Sequence, residues 1–297
     1  MNRVLVTGAG GYIGQHVSLA LAQAGWQVRG LGRRPQPARL GAVEWVQGDI
    51  GDVAITAQAT RGCATIVHLA CLPLKQSSQD PAEALRINVG GTLRVLEAAR
   101  KAEVERLIYT STAQVYGGHS PLPNSEMQHP QPDSIYAASK LCGEVWCQAY
   151  AGMHGMPIQI LRIFNVYGTA ADGASRPTVE AIFVRQLCQG QRPQVRGHPQ
   201  NGRDFIHVQD VVRALCLALT RPAWEGAVNI GTGTLTTLSD LARMAAHALG
   251  QAVEPEMIET GEPPVRFQAD TTRAQALLDF RAEVTLAAGL DELAGEP

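Results

Sequence analysis

The chain has 297 residues, of which 45% are hydrophobic and 18% charged. That is enough apolar surface for a folded core, which excludes a mainly disordered protein. Its 25 Lys and Arg nearly balance its 27 Asp and Glu, which excludes a nucleic-acid binder held by basic excess. No run approaches the roughly 18 to 20 apolar residues that span a bilayer. The opening residues lack the apolar stretch of a secretory leader. The expectation is a soluble, cytoplasmic protein with neither nucleic acid nor membrane as partner. The six cysteines (Cys63, Cys71, Cys142, Cys147, Cys188 and Cys216) show no C-x-x-C spacing. They read as structural thiols in a reducing compartment rather than as a metal or redox site.

Apolar runs of strand length alternate with segments of helical period. In chain order the sequence predicts a strand at Val4–Val6, a helix at Gly14–Gly25 and a strand at Gln27–Leu31. Strands follow at Glu44–Gln47 and Thr65–Leu69, then a long helix at Ala82–Ala102. A strand at Arg106–Thr110, a helix at Tyr136–Tyr150 and a strand at Ile158–Ile163 complete this pattern. Such alternation implies an α/β fold, a Rossmann-like doubly wound parallel sheet with helices on both faces. Beyond residue 168, Gly, Pro and polar residues concentrate at Gly168–Thr178 and Gly190–Arg203, with a helix at Val179–Gln189 between them. A helix at Val208–Thr220, a strand at Ala227–Ile230 and a helix at Leu238–Leu249 follow. The predicted organisation is a nucleotide-binding domain over 1–168, to which the chain returns at about 206–231. Residues 169–297 form mainly a smaller substrate lobe, and the cleft between the two is the default ligand site.

Gly8, Gly11 and Gly14 fall in Thr7-Gly8-Ala9-Gly10-Gly11-Tyr12-Ile13-Gly14, directly after a strand and opening a helix. Glycines there permit a tight turn and bring backbone N–H groups close to a pyrophosphate at the helix N-terminus. Chance supplies roughly 0.3 such patterns in a chain this rich in glycine, so the strand-turn-helix setting carries the reading. Tyr12 and Ile13 belong to the same dinucleotide turn. At the end of the second strand, where NAD enzymes place an acidic residue, the chain has Gly32 followed by Arg33 and Arg34. Guanidinium groups suit a 2′-phosphate, which favours NADP over NAD. Asp49 and Ile50 follow the third strand, where a carboxylate would accept from the adenine amino group. Leu69 and Ala70 end the fourth strand, where a small residue lets backbone lie against ribose. His68 beside them reads as a packed core histidine.

The chemistry lies in Tyr136-Ala137-Ala138-Ser139-Lys140. Residues i and i+4 share a helix face, so the Lys140 ammonium would favour ionisation of the Tyr136 phenol, whose ordinary pKa is about 10. The chain has only three lysines, and chance supplies roughly 0.06 Tyr-x-x-x-Lys pairs. Thr112, at the end of the fifth strand, is the preferred third catalytic group, ahead of Ser111, as a hydroxyl that orients the substrate oxygen.

These residues together resemble the extended short-chain dehydrogenase/reductase superfamily, in its NAD-dependent epimerase/dehydratase branch. The resemblance spans nearly the whole chain. It continues through Asn88 in Asn88-Val89-Gly90-Gly91-Thr92, Leu161 to Gly168, Gly202-Arg203-Asp204-Phe205-Ile206-His207-Val208 and Asn229-Ile230-Gly231. It implies an NAD(P)-dependent enzyme acting on a nucleotide-linked sugar, with Thr112, Tyr136 and Lys140 catalytic. By the same resemblance Asn88 and Phe164 join the cofactor site, and Asn165 and Arg203 contact the substrate's phosphates. The helices Ala82–Ala102 and Tyr136–Tyr150 would form the four-helix bundle of a homodimer.

Two departures narrow the reading. Dehydratases of this branch read Thr-Asp-Glu where this chain has Thr112-Ala113-Gln114. Elimination of water needs an acid and a base that Ala113 and Gln114 do not supply, and decarboxylases also use a Glu at the position of Gln114. Oxidoreduction at a sugar carbon remains, most naturally C4. The arginine pair tilts it toward a 4-ketoreductase consuming NADPH, with a 4-epimerase as the close alternative. Near the C-terminus relatives have Arg-x-Gly-Asp, whereas this chain has Glu259-Thr260-Gly261-Glu262, with Arg266 as a stand-in of unassigned position. A reductase of a non-nucleotide carbonyl substrate, a non-catalytic NAD(P) sensor and a structural scaffold are the other readings.

Overall fold

Seven short apolar strands build one sheet: β1 (Arg3–Thr7), β2 (Gln27–Gly32), β3 (Glu44–Gln47), β4 (Thr65–His68), β5 (Arg106–Thr112), β6 (Ile158–Ile163) and β7 (Ala227–Ile230). The computed structural model describes residues 3–171 and 178–295. All neighbours in the sheet run parallel, in the order β7-β6-β5-β4-β1-β2-β3. This is the doubly wound α/β architecture expected from the sequence. The order reverses between β1 and β4, and at such a switch point the loops leaving the carboxyl ends part to form a crevice.

Alternating side chains feed two cores. Val4 and Val6 of β1 join a cluster with Val17, Leu21, Val211 and Leu215 on one face of the sheet. Leu5, between them, joins Ile66, Leu96, Tyr109, Cys147 and Tyr150 on the other. The strands are buried on both faces, which is why they read as continuous apolar runs. A third cluster, with Tyr167, Phe183, Leu187, Val195, Phe205, Leu241 and Leu290, lies in the C-terminal part. Phe205–His207 pairs with Asn165–Tyr167 in a separate ladder, and β7 then adds to the edge of the sheet at β6.

Several boundaries differ from those read in the sequence. The helix expected from Gly14 starts at Tyr12. The long helix over 81–101 contains a π-helical stretch at Leu85–Gly91 between two α-helical ones. Gly91 there backs onto β3's exit, where a Cβ would stand 2.5 Å from Ile50 Cδ1. Among the described residues, four α-helices add to those read in the sequence: Val53–Thr60, Leu74–Gln79, Thr272–Leu278 and Leu286–Gly295. The first is capped by Asp52, whose carboxylate accepts from the N–H groups of Ala54 and Ile55. Of the polar loop expected at 168–178, residues 172–177 lie outside the described residues. Among the described residues no helix is long and apolar enough to cross a membrane.

Candidate active site

The turn after β1 is built by contacts that only glycine allows. Gly8 has φ +69°, and a Cβ on it would meet Ala70 N at 2.8 Å. A Cβ on Gly14 would meet the Gly8 carbonyl oxygen at 2.2 Å, so the helix packs directly on the turn. Gly8 N–H donates to Leu31 and Gly11 N–H to Gly8. The helix then begins at Tyr12, and the first N–H groups of a helix have no intrahelical partner. Gly8, Gly11, Tyr12, Ile13 and Gly14 all line a cavity of about 570 Å3 at the crevice. Its shape and its helix N-terminus fit a dinucleotide, with the pyrophosphate at the turn.

Gly32, Arg33 and Arg34 after β2 and Ile50 after β3 line one end of this cavity, and Leu69 and Ala70 after β4 line its wall on the other side of β1. Arg33 is mostly exposed, 3.8 Å from Glu83. Asp49 is a correction. Its carboxylate is taken by Arg86 at 2.9 and 3.1 Å and by Gly51 N–H at 2.7 Å. These partners hold its pKa below the usual carboxylate value, the Arg86 hydrogen bond contributing most. It closes the loop after β3, and its neighbours Gly48 and Ile50, rather than Asp49, line the cavity. Trp45, which the sequence reading passed over, lines it too.

The other end holds Ser111, Tyr136 and Lys140. Tyr136 and Lys140 lie on the helix Ile135–His154, capped by Ser134, whose hydroxyl accepts from Ala137 N–H. Thr112, at the end of β5, stands near enough to the Tyr136 hydroxyl to influence its ionisation, and its own Oγ1 accepts from Gln114 N–H. Burial pushes the Tyr136 phenol well above its ordinary value and the Cys71 thiol pushes it the same way, while Thr112 pulls it down. Burial also lowers the Lys140 ammonium, partly offset by Cys71, Cys147 and Glu144. Its Nζ lies 4.2 Å from the centre of the Tyr109 ring. Burial therefore favours the protonated phenol, without the help from the Lys140 ammonium that the i, i+4 spacing led one to expect. Cys71 is a second correction. Rather than a core thiol, it lines the cavity beside Tyr136, whose phenol it helps keep protonated. It stands three residues after His68 on the loop leaving β4, and only the loop's path brings it there.

Behind this wall two polar groups hold the backbone in place. His68 is buried, with Nδ1 2.7 Å from Thr7 Oγ1 and Nε2 3.0 Å from Thr92 Oγ1. The Thr92 hydroxyl donates to Asn88 O and the Thr7 hydroxyl accepts from Ala70 N–H. The consistent assignment therefore protonates Nε2 and leaves Nδ1 as acceptor. Burial and the Lys140 charge lower its pKa to about 3, so it is the neutral core histidine read from the sequence. Asn88 is a third correction. Its Oδ1 accepts from Leu72 N–H, and its Nδ2 donates to Leu72 O and Ser139 Oγ. Its amide is spent within the chain and ties the loop after β4 to the helix of Tyr136.

A second cavity, of about 210 Å3, adjoins the first across Phe164, which lines both. Asn165, Arg203, Ala113, Gln114, Asp133 and Phe267 contribute to it. Arg203 donates from Nη1 to the carbonyls of Gly202 and Val265 and lies 5.2 Å from the Phe267 ring centre. Burial lowers its pKa, with Asp133 acting against that. Among the described residues no carboxylate comes within ion-pair distance of it. A largely buried cation without a counter-ion is expensive unless an anion binds there. Asp204, next in the chain, is buried and accepts from Thr232, Gly233 and Ala269, which fixes the turn after β7 against this wall. Arg266 hydrogen-bonds Gly118 through its backbone; its neighbours Val265 and Phe267 line the cavity.

Comparison with known proteins gives the same picture. The UDP-glucose 4-epimerase of Mycolicibacterium smegmatis is 34% identical over 97% of this chain and 96% of its own. The crystal structure of UDP-glucose 4-epimerase with UDP-glucose from Thermotoga maritima matches with a TM-score of 0.91. It is 28% identical and covers 99% of this chain and 98% of that one. MoeE5, solved in complex with UDP-glucuronic acid and NAD, matches with a TM-score of 0.88. It is 33% identical and covers 99% and 98% of the two chains. The model of the NAD-dependent epimerase/dehydratase family matches residues 4–231, and the chain belongs to that family.

Proposed function

We propose that this protein is a nucleotide-sugar 4-epimerase that carries out NAD(P)-dependent oxidoreduction at C4 of a UDP-sugar. The observation that carries the reading is buried Tyr136, whose phenol Thr112 influences directly, one helical turn from buried Lys140, with both lining the cavity that starts at the glycine turn. Gly8, Gly11, Tyr12, Ile13 and Gly14 would hold the pyrophosphate, and Lys140 the nicotinamide ribose. When bound, the nicotinamide supplies a reversible two-electron oxidant. Thr112 fixes the substrate oxygen, and Tyr136 exchanges a proton with it: the protonated phenol donates when a carbonyl is reduced, and the ionised phenolate accepts when the hydroxyl is oxidised. Arg203 and Asn165, in the adjoining cavity, hold the diphosphate. Residues 1–168 and about 206–231 serve the cofactor, and most of 169–297 the substrate.

Nucleotide-sugar relatives move the balance from the reductase toward the epimerase. NAD in the similar MoeE5 structure supports binding of a nicotinamide dinucleotide. Arg33 and Arg34 support NADP, and with it the NADPH-consuming reductase, as the second reading. The helices over 81–101 and 135–154 expose Leu85 (63%) and Val145 (57%), which suits their burial in a homodimer. Unpaired cysteines suit a reducing, cytoplasmic setting.

The test is to incubate the protein and either dinucleotide with UDP-glucose and UDP-glucuronate and to follow product mass and cofactor absorbance together. An epimerase gives a product of unchanged mass with no net change in absorbance. A reductase consumes one NADPH per product. A product lighter by one water, formed at a turnover-competent rate, would overturn the reading of Ala113 and Gln114.

A further inference from the structure

The cofactor cavity contains an aromatic ring where the sequence suggested an empty slot. Trp45 pairs with Gly30 across β2 and β3. Residues i and i+2 of a strand share a face, so Gly30 and Gly32 present no side chain beneath the indole while Leu31 points to the opposite core. The fit is tight. A Cβ on Gly30 would stand 2.8 Å from Trp45 Cε3, and one on Gly32 would stand 2.7 Å from Cζ2. Gly10, in the phosphate turn, would bring its Cβ to 3.5 Å from Cη2 of the same ring. Three glycines from two segments thus shape a seat for one indole. The ring is held by shape, since its Nε1 finds no hydrogen-bond partner among the described residues.

We propose that Trp45 determines cofactor selectivity at the adenosine ribose. The proposal rests on the dinucleotide reading of this cavity. The indole fills the place beside Gly32 that a ribose-binding carboxylate needs. The ribose 2′ position is then left to Arg33 and Arg34, of which Arg34 has no ion pair among the described residues. The seat makes the two positions interdependent. An aspartate at residue 32 cannot reach the ribose while the indole stands 2.7 Å from its Cβ. It works only when the ring is also removed.

The experiment is calorimetric titration of NADPH and NADH into the wild type, Gly32→Asp, Trp45→Val and the double variant, with thermal melting to verify folding. Gly32→Asp alone should weaken both cofactors at least tenfold. The double variant should bind NADH at least tenfold more tightly than Gly32→Asp and prefer it to NADPH. If Gly32→Asp does not fold, Gly32→Ala tests the Cβ alone, and Trp45→Val should restore the affinity it loses. Switching of Gly32→Asp to NADH with wild-type affinity would overturn the proposal, as would effects at the two positions that add within twofold. In either case wild-type binding leaves the dinucleotide reading intact. A wild type that binds neither dinucleotide overturns both.

Discussion

Arg162 and Glu144 form a buried ion pair, Nη2 to Oε2 at 2.7 Å and Nε to Oε1 at 3.0 Å, four residues beyond Lys140 on the same helix. The guanidinium also donates to the Tyr116 hydroxyl, which donates in turn to Asn229 Oδ1. One side chain thus links β6, the helix of Tyr136 and β7 behind the site. Removal of one partner leaves a buried charge unpaired. Arg162→Met should destabilise the protein by about 3 to 5 kcal/mol. Adding Glu144→Gln should recover part of that loss, because the stranded carboxylate is then gone. Urea unfolding of the three variants measures this, and a midpoint for Arg162→Met equal to wild type would contradict it.

Tyr136→Phe keeps the ring packing and removes the proton donor and acceptor. Turnover should fall by at least about a hundredfold, while dinucleotide affinity stays within threefold. Lys140→Met should harm both, because the ammonium also serves the nicotinamide ribose. Steady-state rates and titrated dissociation constants separate the two effects. More than a tenth of wild-type turnover in the phenylalanine variant would refute the assignment.

His68 makes stability depend on pH. The unfolded chain protonates this ring below about 6.5, and the folded chain only near 3. Between those values the unfolded state holds more protons, so stability falls as pH falls, by up to about 1.4 kcal/mol per unit. The contribution is complete above pH 6.5 and lost below about 3. Denaturant midpoints at pH 7.5, 6 and 5 should decline in the wild type, and the slope should flatten in His68→Asn. Equal slopes would show that other groups carry the dependence.

What could be read in advance follows from the range of each interaction. The glycine turn, the strands and Tyr136 with Lys140 are local patterns, and buried parallel strands repeat them without ambiguity. The helix Val53–Thr60 carries a local signal in its Asp52 cap. Asp49, Asn88 and Trp45 lay beyond such reading. Their roles depend on Arg86, Leu72 and Gly32, which are distant in sequence, and a motif names a residue without naming what its polar atoms or ring will meet.

Cys71 gives a chemical probe of the wall around Tyr136. Iodoacetamide should modify Cys71 and abolish turnover, and saturating dinucleotide should protect it. Exposed Cys188 should be modified equally with or without dinucleotide, which supplies an internal control. Peptide mass mapping against residual activity reads both sites. Cys71→Ser should keep most activity and resist inactivation. Equal modification of Cys71 with and without bound dinucleotide would place it outside the cofactor's footprint.

Arg203 tests the substrate end of the site. Its guanidinium is largely buried, braced by Gly202 and Val265, and stacked near Phe267, with no acidic partner in reach among the described residues. A diphosphate would supply the missing negative charge through charge-assisted hydrogen bonds. Arg203→Met keeps an apolar stem against Phe267 and removes the charge together with the two bonds to the Gly202 and Val265 carbonyls. KM for a UDP-sugar should rise by about ten- to a hundredfold, equivalent to roughly 1.4 to 2.8 kcal/mol, with kcat changed less than fivefold. Dinucleotide affinity should not move, because Arg203 lines only the smaller cavity. Arg203→Lys should recover only part of the loss, since a point charge does not reproduce the planar fork. A variant that loses kcat at unchanged KM would show that Arg203 acts on the reacting centre, and the diphosphate would then have to sit elsewhere.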